Sequence, residues 1–242
     1  MFLGLMLIVG IAAGAVAAVS GFGIGSLLTP AFAIYTGTKL AIAAAAIPHL
    51  LGSALRVWIL RKDIDYKILW GFGIASAVFG LTGALLHNFI GGRMLTFMFG
   101  VILVFAGGMG ITGLAEKMQF KGAAAWAAGA FSGFLGGMVG NQGGIRSAAM
   151  LGLNVPKRAF VATASAVSIM VDGVRIPVYI ANQSEKLLGI WPYIAGAGAA
   201  VIIGTLAGQK LLTFIPERFF KRVVAAIVLF LGVIMILENW AE

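Results

Sequence analysis

The chain has 242 residues, of which 61% are hydrophobic and 10% are charged, and it contains 35 glycines and no cysteine. Ordinary soluble domains carry about 25% charged residues and disordered chains combine low hydrophobicity with high charge, so both classes are excluded. The net charge of +9 would suggest nucleic acid as the partner of a soluble chain, but Lys and Arg report orientation in a membrane protein. The composition therefore predicts an all-α polytopic membrane protein that contacts the lipid bilayer and no nucleic acid.

Ten apolar segments follow one another along the chain, in two sets of five. The first set covers residues 2–19, 21–37, 40–60, 68–90 and 94–114. The second set covers residues 122–139, 141–155, 158–180, 187–214 and 219–237. A full helical span needs about 20 residues, and the second segment of each set is shorter and begins in a glycine cluster. We therefore predict half-helices or re-entrant pieces at these two places.

The order of five segments followed by five indicates an internal duplication. An offset of 119 residues places Lys39 on Arg158 and Arg56 on Arg175, and several glycines also coincide. Glycine matches are weak evidence in a chain this rich in glycine, so the matched basic residues carry the argument. The predicted transmembrane repeats are residues 1–119 and 120–242, within one integral membrane domain.

The distribution of Lys and Arg predicts that the two repeats are inverted relative to each other. If each repeat has an odd number of spans, the basic residues divide very unequally between the two sides of the membrane. One side then holds Arg61, Lys62, Lys67, Lys117, Lys121, Lys157, Arg158, Lys210, Arg218, Lys221 and Arg222, and the other holds Lys39, Arg93 and Lys186. With four spans per repeat this asymmetry disappears. The positive-inside rule therefore favours inversion, with the loop 61–67 cytoplasmic and both termini outside.

The two glycine clusters are the first candidate site. One reads Gly-Phe-Gly-Ile-Gly-Ser from residue 21, and the other reads Gly-Asn-Gln-Gly-Gly-Ile-Arg-Ser from residue 140. A helix that begins after such a cluster offers free N–H groups and the positive end of its dipole to an anion. The alternative is close helix packing through small residues. The predicted substrate-binding residues are Gly21, Phe22, Gly23, Gly25, Asn141, Gln142, Gly143, Gly144 and Arg146.

Ionisable side chains within the spans are the second candidate set, because they are costly in a bilayer and often functional. The predicted pathway or coupling residues are His49, Arg56, Asp172 and Arg175. Each has a simpler alternative. Arg56 could extend to the interface, and Asp172 could form an ion pair with Arg175 within one helix. His49 could be a packed histidine instead of a proton-coupling group, and His87 is predicted at the membrane interface.

Three embedded arginines (Arg56, Arg146 and Arg175) and one embedded aspartate (Asp172) leave an excess of positive charge within the membrane. An anion would offset that charge, and Arg suits bidentate contact with an oxyanion. We therefore predict small anions as the substrate class. The sequence shows no clustered metal ligands, no phosphate-binding loop and no nucleophile motif, so we predict no metal, no cofactor and no enzymatic activity.

The duplicated layout and the two glycine-rich stretches, residues 21–30 and 140–149, resemble the TauE/SafE family of sulfite and organosulfonate exporters. The resemblance covers nearly the whole chain. It implies a secondary transporter that exports sulfite or an organosulfonate across the bacterial cytoplasmic (inner) membrane. A channel for small solutes or anions and a non-transporting membrane subunit remain alternatives. A homodimer is left open as a further partner.

Overall fold

The computed structural model describes residues 1–114, 123–140, 143, 146, 150, 156–211 and 217–241. These residues form helices joined by short connections. The helices are α1 Phe2–Ser20, α2 Ile24–Thr36, α3 Thr38–Leu60, α4 Tyr66–His87, α5 Gly92–Thr112, α6 Ala123–Val139, α7 Lys157–Gly189, α8 Trp191–Leu211 and α9 Glu217–Ala241. Within the described ranges, six helices are long and apolar enough to cross a membrane. The predicted all-α polytopic membrane architecture is confirmed.

The second segment of the first set is a short helix, as predicted. α2 has 13 residues, about 20 Å at 1.5 Å per residue, whereas the hydrocarbon core of a bilayer is about 30 Å thick. In the second set, Gly143, Arg146 and Met150 are helical. The other residues of the segment 141–155 lie outside the described residues.

The helix that covers the predicted segment 158–180 breaks at Gln183, three residues after the predicted end, and a further helical stretch then reaches Gly189. The polar residues that follow residue 180 led to the prediction of a helix end. Backbone hydrogen bonds do not require apolar side chains, however, so a helix can continue past the apolar run. The helical geometry is interrupted at Gln183, where φ is −139°.

The helices of the two predicted repeats pack in a crossed order. α1 packs against α8, and α4 packs against α6, so the first long helix of each half contacts the fourth segment of the other half. α3 packs against α7, and α5 packs against α9, which pairs the third segments and the fifth segments. This reciprocal packing agrees with a duplication, and the inverted orientation of the repeats stays a prediction.

Glycines allow the closest helix pairs to bring backbone against backbone. At the contact of α4 with α6, a Cβ atom on Gly137 would overlap the carbonyl oxygen of Gly80 and lie 2.8 Å from the backbone nitrogen of Ala84. Backbone atoms cannot move aside as the end of a flexible side chain can. The close approach of these two helices therefore depends on glycine at position 137.

We expect Gly137→Ala to destabilise the protein by roughly 1–3 kcal/mol, the usual cost of overpacking a core. The matched control is Gly108→Ala in α5, where an added Cβ meets no atom within 4 Å; its higher helix propensity should leave stability unchanged or slightly higher. Melting temperatures of both purified variants in detergent test this expectation. Equal melting temperatures would contradict the assigned contact.

Contacts between helix ends show which residues lie at each end of the bundle. At one end, the ring centroid of Phe2 lies 3.9 Å from that of Tyr35 and 4.7 Å from that of Tyr193. Lys39, at the start of α3, donates to the carbonyl oxygen of Asn88 at 2.7 Å. The opposite end of α3 leads to the loop 61–65, where the Arg158 Nε atom lies 3.4 Å from the carboxylate of Asp63. Lys39 and Arg158, which match at the offset of 119 residues, therefore lie at opposite ends of the bundle.

The natural absence of cysteine makes single-cysteine labelling a direct test of the predicted orientation. We expect Phe89→Cys, at a residue that is 85% exposed, to react with a membrane-impermeant maleimide on intact cells. Ile64→Cys should react only in inverted membrane vesicles. Cysteines added at each terminus should behave like Phe89→Cys, and a terminus that is labelled on the side of Ile64 would refute the inverted arrangement.

Candidate functional site

The two glycine clusters begin where two helices end in the same way. α1 is followed by Gly21, with φ 77°, whose N–H group donates to the Ala17 carbonyl at 3.0 Å. α6 is followed by Gly140, with φ 76°, whose N–H group donates to the Gly136 carbonyl at 3.1 Å. This left-handed conformation closes a helix and favours glycine. Each cluster therefore starts with a glycine that the backbone requires.

The surroundings of these two glycines also correspond. A Cβ atom on Gly21 would lie 3.7 Å from Val161 on α7, and one on Gly140 would lie 3.0 Å from Ile42 on α3. Val161 follows Ile42 by the same offset of 119 residues that separates the two glycines. The described contacts thus repeat at the spacing that the sequence predicts.

The structure brings the two clusters into contact with each other. A Cβ atom on Gly25 would lie 2.7 Å from the carbonyl oxygen of Gly140, and one on Gly143 would lie 2.5 Å from the Cβ of Phe22. Gly23, with φ 121°, precedes the first residue of α2. Three further residues predicted to bind substrate, Asn141, Gln142 and Gly144, lie outside the described residues.

Arg146 is the charged member of the second cluster, and it is buried with 3% exposure. Its Nη1 atom donates to the Ala164 carbonyl at 3.1 Å and also to the Ser168 hydroxyl of α7. Its Nε and Nη2 atoms are buried and have no hydrogen-bond partner among the described residues. These two atoms form one edge of the guanidinium group, the edge that can grip two oxygens of an anion.

Asp172 connects the two halves of the bundle. It lies on α7 and is fully buried. Its Oδ1 atom accepts from Arg175 Nε at 2.8 Å and forms an ion pair with Arg175 Nη2, also at 2.8 Å. Its Oδ2 atom lies 2.6 Å from His49 Nδ1 on α3. The ion pair within one helix is therefore present, and the same carboxylate also holds a histidine of the other half. His49 and Asp172 are thus in direct contact, which the sequence did not predict.

Arg56 does not extend to the membrane interface, so that alternative is wrong. The side chain is 1% exposed, its Nε atom donates to Ser165 Oγ at 3.0 Å, and its Nη2 atom donates to Ser53 Oγ at 3.0 Å. Its Nη1 atom is buried without a partner in the described part of the chain. The two serines hold the guanidinium group inside the protein because they accept two of its N–H groups.

One face of α7 carries the polar residues that surround these arginines. Ser165, Ser168, Asp172, Arg175 and Tyr179 follow one another at spacings of three or four residues, which places them on one side of a helix, and each is at most 1% exposed. Carbonyl groups near the end of α6 complete this region. Gly136 accepts from Arg175 Nη1 at 2.6 Å, and Gly137 accepts from the Tyr179 hydroxyl.

Three residues of this face, Ser165, Ser168 and Tyr179, were not predicted from the sequence, although a signal for one of them was available. At the offset of 119 residues, His49 matches Ser168 and Ser53 matches Asp172. The third segments of the two repeats, α3 and α7, pack together. Positions that are equivalent in the two repeats therefore face each other. Ser168, as the equivalent of His49, could therefore have been placed in the centre.

His87, predicted at the membrane interface, lies beside the bundle end at which Lys39 contacts Asn88, and its depth in the membrane stays a prediction. It ends α4 but is fully buried, and its Nδ1 atom lies 2.8 Å from the Met138 carbonyl. Its ring centroid lies 4.9 Å from that of Tyr179, and its Nε2 atom lies 3.5 Å from the Gln183 side chain. The packing of α4 against α6 and α7 buries the His87 side chain. The sequence indicates where the helix ends but does not show that other helices cover this residue.

Comparison with known proteins gives one match, to a family. No curated protein and no solved structure matches the chain. A family model described as "Sulfite exporter TauE/SafE" matches residues 6–235, nearly the whole length of the chain. The description names an exporter and not an enzyme, and it agrees with a bundle of membrane-length helices. The chain belongs to the TauE/SafE family.

Proposed function

We propose that this chain is a secondary transporter that exports small oxyanions, sulfite or an organosulfonate, across the bacterial cytoplasmic membrane. The observation that carries the proposal is the pair of buried Arg146 nitrogens, Nε and Nη2, which have no hydrogen-bond partner among the described residues. A buried, unpaired charged donor is costly. A bound oxyanion would compensate both nitrogens at once, because Arg is suited to bidentate contact with such groups.

In Arg175, the same edge of the guanidinium group contacts an anionic group of this protein. Its Nε and Nη2 atoms both contact a carboxylate oxygen of Asp172. In Arg146, the Nη1 atom is held by Ala164 and Ser168, which fixes the guanidinium group and leaves the Nε and Nη2 edge for a ligand. We assign Arg146 as the main substrate contact.

The contact of the two glycine clusters supports the position of this site. Arg146 follows Gly143, which packs directly on Phe22 of the first cluster. α2 begins at Ile24, within this cluster, and the N-terminal N–H groups of a helix favour an anion. We propose that Gly21, Phe22, Gly23, Gly25 and Gly143 shape the site, with Asn141, Gln142 and Gly144 beside them in the sequence.

The remaining embedded groups would line the pathway. Arg56 contacts Ser165 of α7, and Arg175, itself on α7, contacts Asp172 about two turns further along the helix. Asp172 also contacts His49 and so joins the two halves. Export of an anion from an inside-negative cell is downhill by about 2.3 kcal/mol per charge for each 100 mV. The proposed export therefore does not require obligatory coupling to protons.

Reconstitution into liposomes tests the proposal. Proteoliposomes loaded with labelled sulfite should release it with saturable kinetics and should show counterflow when unlabelled sulfite is present on the other side. Flux without saturation or counterflow would favour a channel. If neither sulfite, sulfate, thiosulfate nor a small sulfonate moves, the transport proposal fails and a non-transporting membrane subunit becomes the better interpretation.

A further inference from the structure

Two arginines from different segments meet one turn of α7. Arg56 Nε donates to Ser165 Oγ at 3.0 Å, and Arg146 Nη1 donates to the carbonyl oxygen of the preceding residue, Ala164, at 3.1 Å. Adjacent residues of a helix differ in height by only 1.5 Å, so the two guanidinium groups are anchored at nearly the same level. This turn therefore gathers two positive charges inside the bundle.

Neither of these two charges is balanced by a carboxylate. The ion pairs among the described residues leave Arg56 and Arg146 unpaired, because the embedded Asp172 contacts Arg175 and His49. A protonated His49 would add to the positive excess and would not reduce it. The described centre thus carries three guanidinium groups against one carboxylate, an excess of two charges.

The same two arginines also hold the buried N–H groups that have no partner within the described ranges. These are Nε and Nη2 of Arg146 and Nη1 of Arg56. A tetrahedral or pyramidal oxyanion has three or four oxygens, enough to accept from all three nitrogens. A monovalent ligand would leave one of the two charges uncompensated in a medium of low dielectric constant, where an unpaired charge is expensive.

From this balance of charges and donors, we propose that the site selects divalent oxyanions over monovalent sulfonates. The inference rests on the proposed transport of anions and narrows its substrate class. It favours the fully deprotonated forms of sulfite, thiosulfate and sulfate. It disfavours organosulfonates whose only charged group is the sulfonate, which carries one negative charge and has carbon in place of one oxygen.

Sulfate and methanesulfonate are a suitable pair of probes, because they have similar size and tetrahedral shape and differ by one charge. Their dissociation constants are measured on the purified full-length protein by titration calorimetry at constant ionic strength. We expect sulfate to bind at least about tenfold more tightly, which corresponds to about 1.4 kcal/mol. In Arg56→Gln, which removes one unpaired charge, the preference should fall to within about threefold, whereas Arg56→Lys should largely retain it.

The outcomes separate this inference from the proposed function. Methanesulfonate that binds the wild-type protein as tightly as sulfate, or more tightly, overturns the divalent preference but leaves anion transport in place. Absence of binding and of flux for sulfate, sulfite and methanesulfonate overturns both. If Arg56→Gln does not fold, the comparison of the two ligands on the wild-type protein decides the question alone.

Discussion

Replacing Arg146 with alanine should abolish most anion binding and transport. The proposed contact uses two N–H groups of a charged donor, and hydrogen bonds to charged groups contribute about 1.5–3 kcal/mol each. The lower limit for two such bonds is about 3 kcal/mol, which corresponds to at least about 100-fold weaker affinity. The measurement is the concentration dependence of sulfite flux in proteoliposomes, together with the dissociation constant of the purified protein. We expect the half-saturating concentration to rise at least about 100-fold.

Three further variants separate binding from structure. Ser168→Ala removes one contact of Arg146 Nη1 without touching Nε or Nη2, and affinity should change by less than about tenfold. Arg146→Lys keeps the charge but loses the paired N–H edge, so its affinity should lie between those of the wild type and Arg146→Ala. Arg158→Ala removes an arginine whose side chain is 76% exposed and should leave transport unchanged. Wild-type affinity in a folded Arg146→Ala variant would refute the assigned contact.

The sequence predicted which charged side chains stand within the membrane spans, but of their contacts it indicated only the ion pair of Asp172 with Arg175. Arg56, Arg146 and Arg175 stand in apolar segments, which indicates burial, although for Arg56 the sequence left an extension to the interface open. Whether a buried arginine meets a serine, a carbonyl or a carboxylate depends on how helices far apart in the chain are turned toward each other. The contact of Arg56 with Ser165 joins residues 109 positions apart, and no local pattern specifies it.

The glycine clusters correctly indicated two helix ends and a contact between the two repeats, although single glycine matches are weak evidence in a glycine-rich chain. Gly21 and Gly140 share a left-handed conformation, which a sequence can indicate because glycine adopts it without strain. The clusters that follow them were predicted as one site, and Gly25 and Gly143 do pack against the opposite cluster. The helical stretch that follows the break at Gln183 and reaches Gly189 could not be predicted in the same way. A polar run after an apolar one is equally compatible with a loop and with a helix that leaves the membrane.

Asp172→Asn should destabilise the protein strongly, and more than Gly137→Ala does. The carboxylate is fully buried and accepts from Arg175 at 2.8 Å while contacting His49 at 2.6 Å. Removing its charge leaves the guanidinium group of Arg175 buried without an acidic partner, and breaking such a pair from one side costs about 3–5 kcal/mol. At about 2–4 °C per kcal/mol for a chain of this size, the melting temperature in detergent should fall by roughly 10 °C.

The matched control is Asp63→Asn, because Asp63 also contacts an arginine but lies near the surface. Its side chain is 33% exposed and that of Arg158 is 76% exposed, and such pairs contribute about 0–1 kcal/mol. The double variant Asp172→Asn/Arg175→Met removes both charges and should recover part of the lost stability, since the penalty arises from the charge left unpaired. If Asp172→Asn melts within about 2 °C of the wild type, the carboxylate does not hold the two halves together. In that case its contact with His49 has no structural role, and only a role in transport would remain for it.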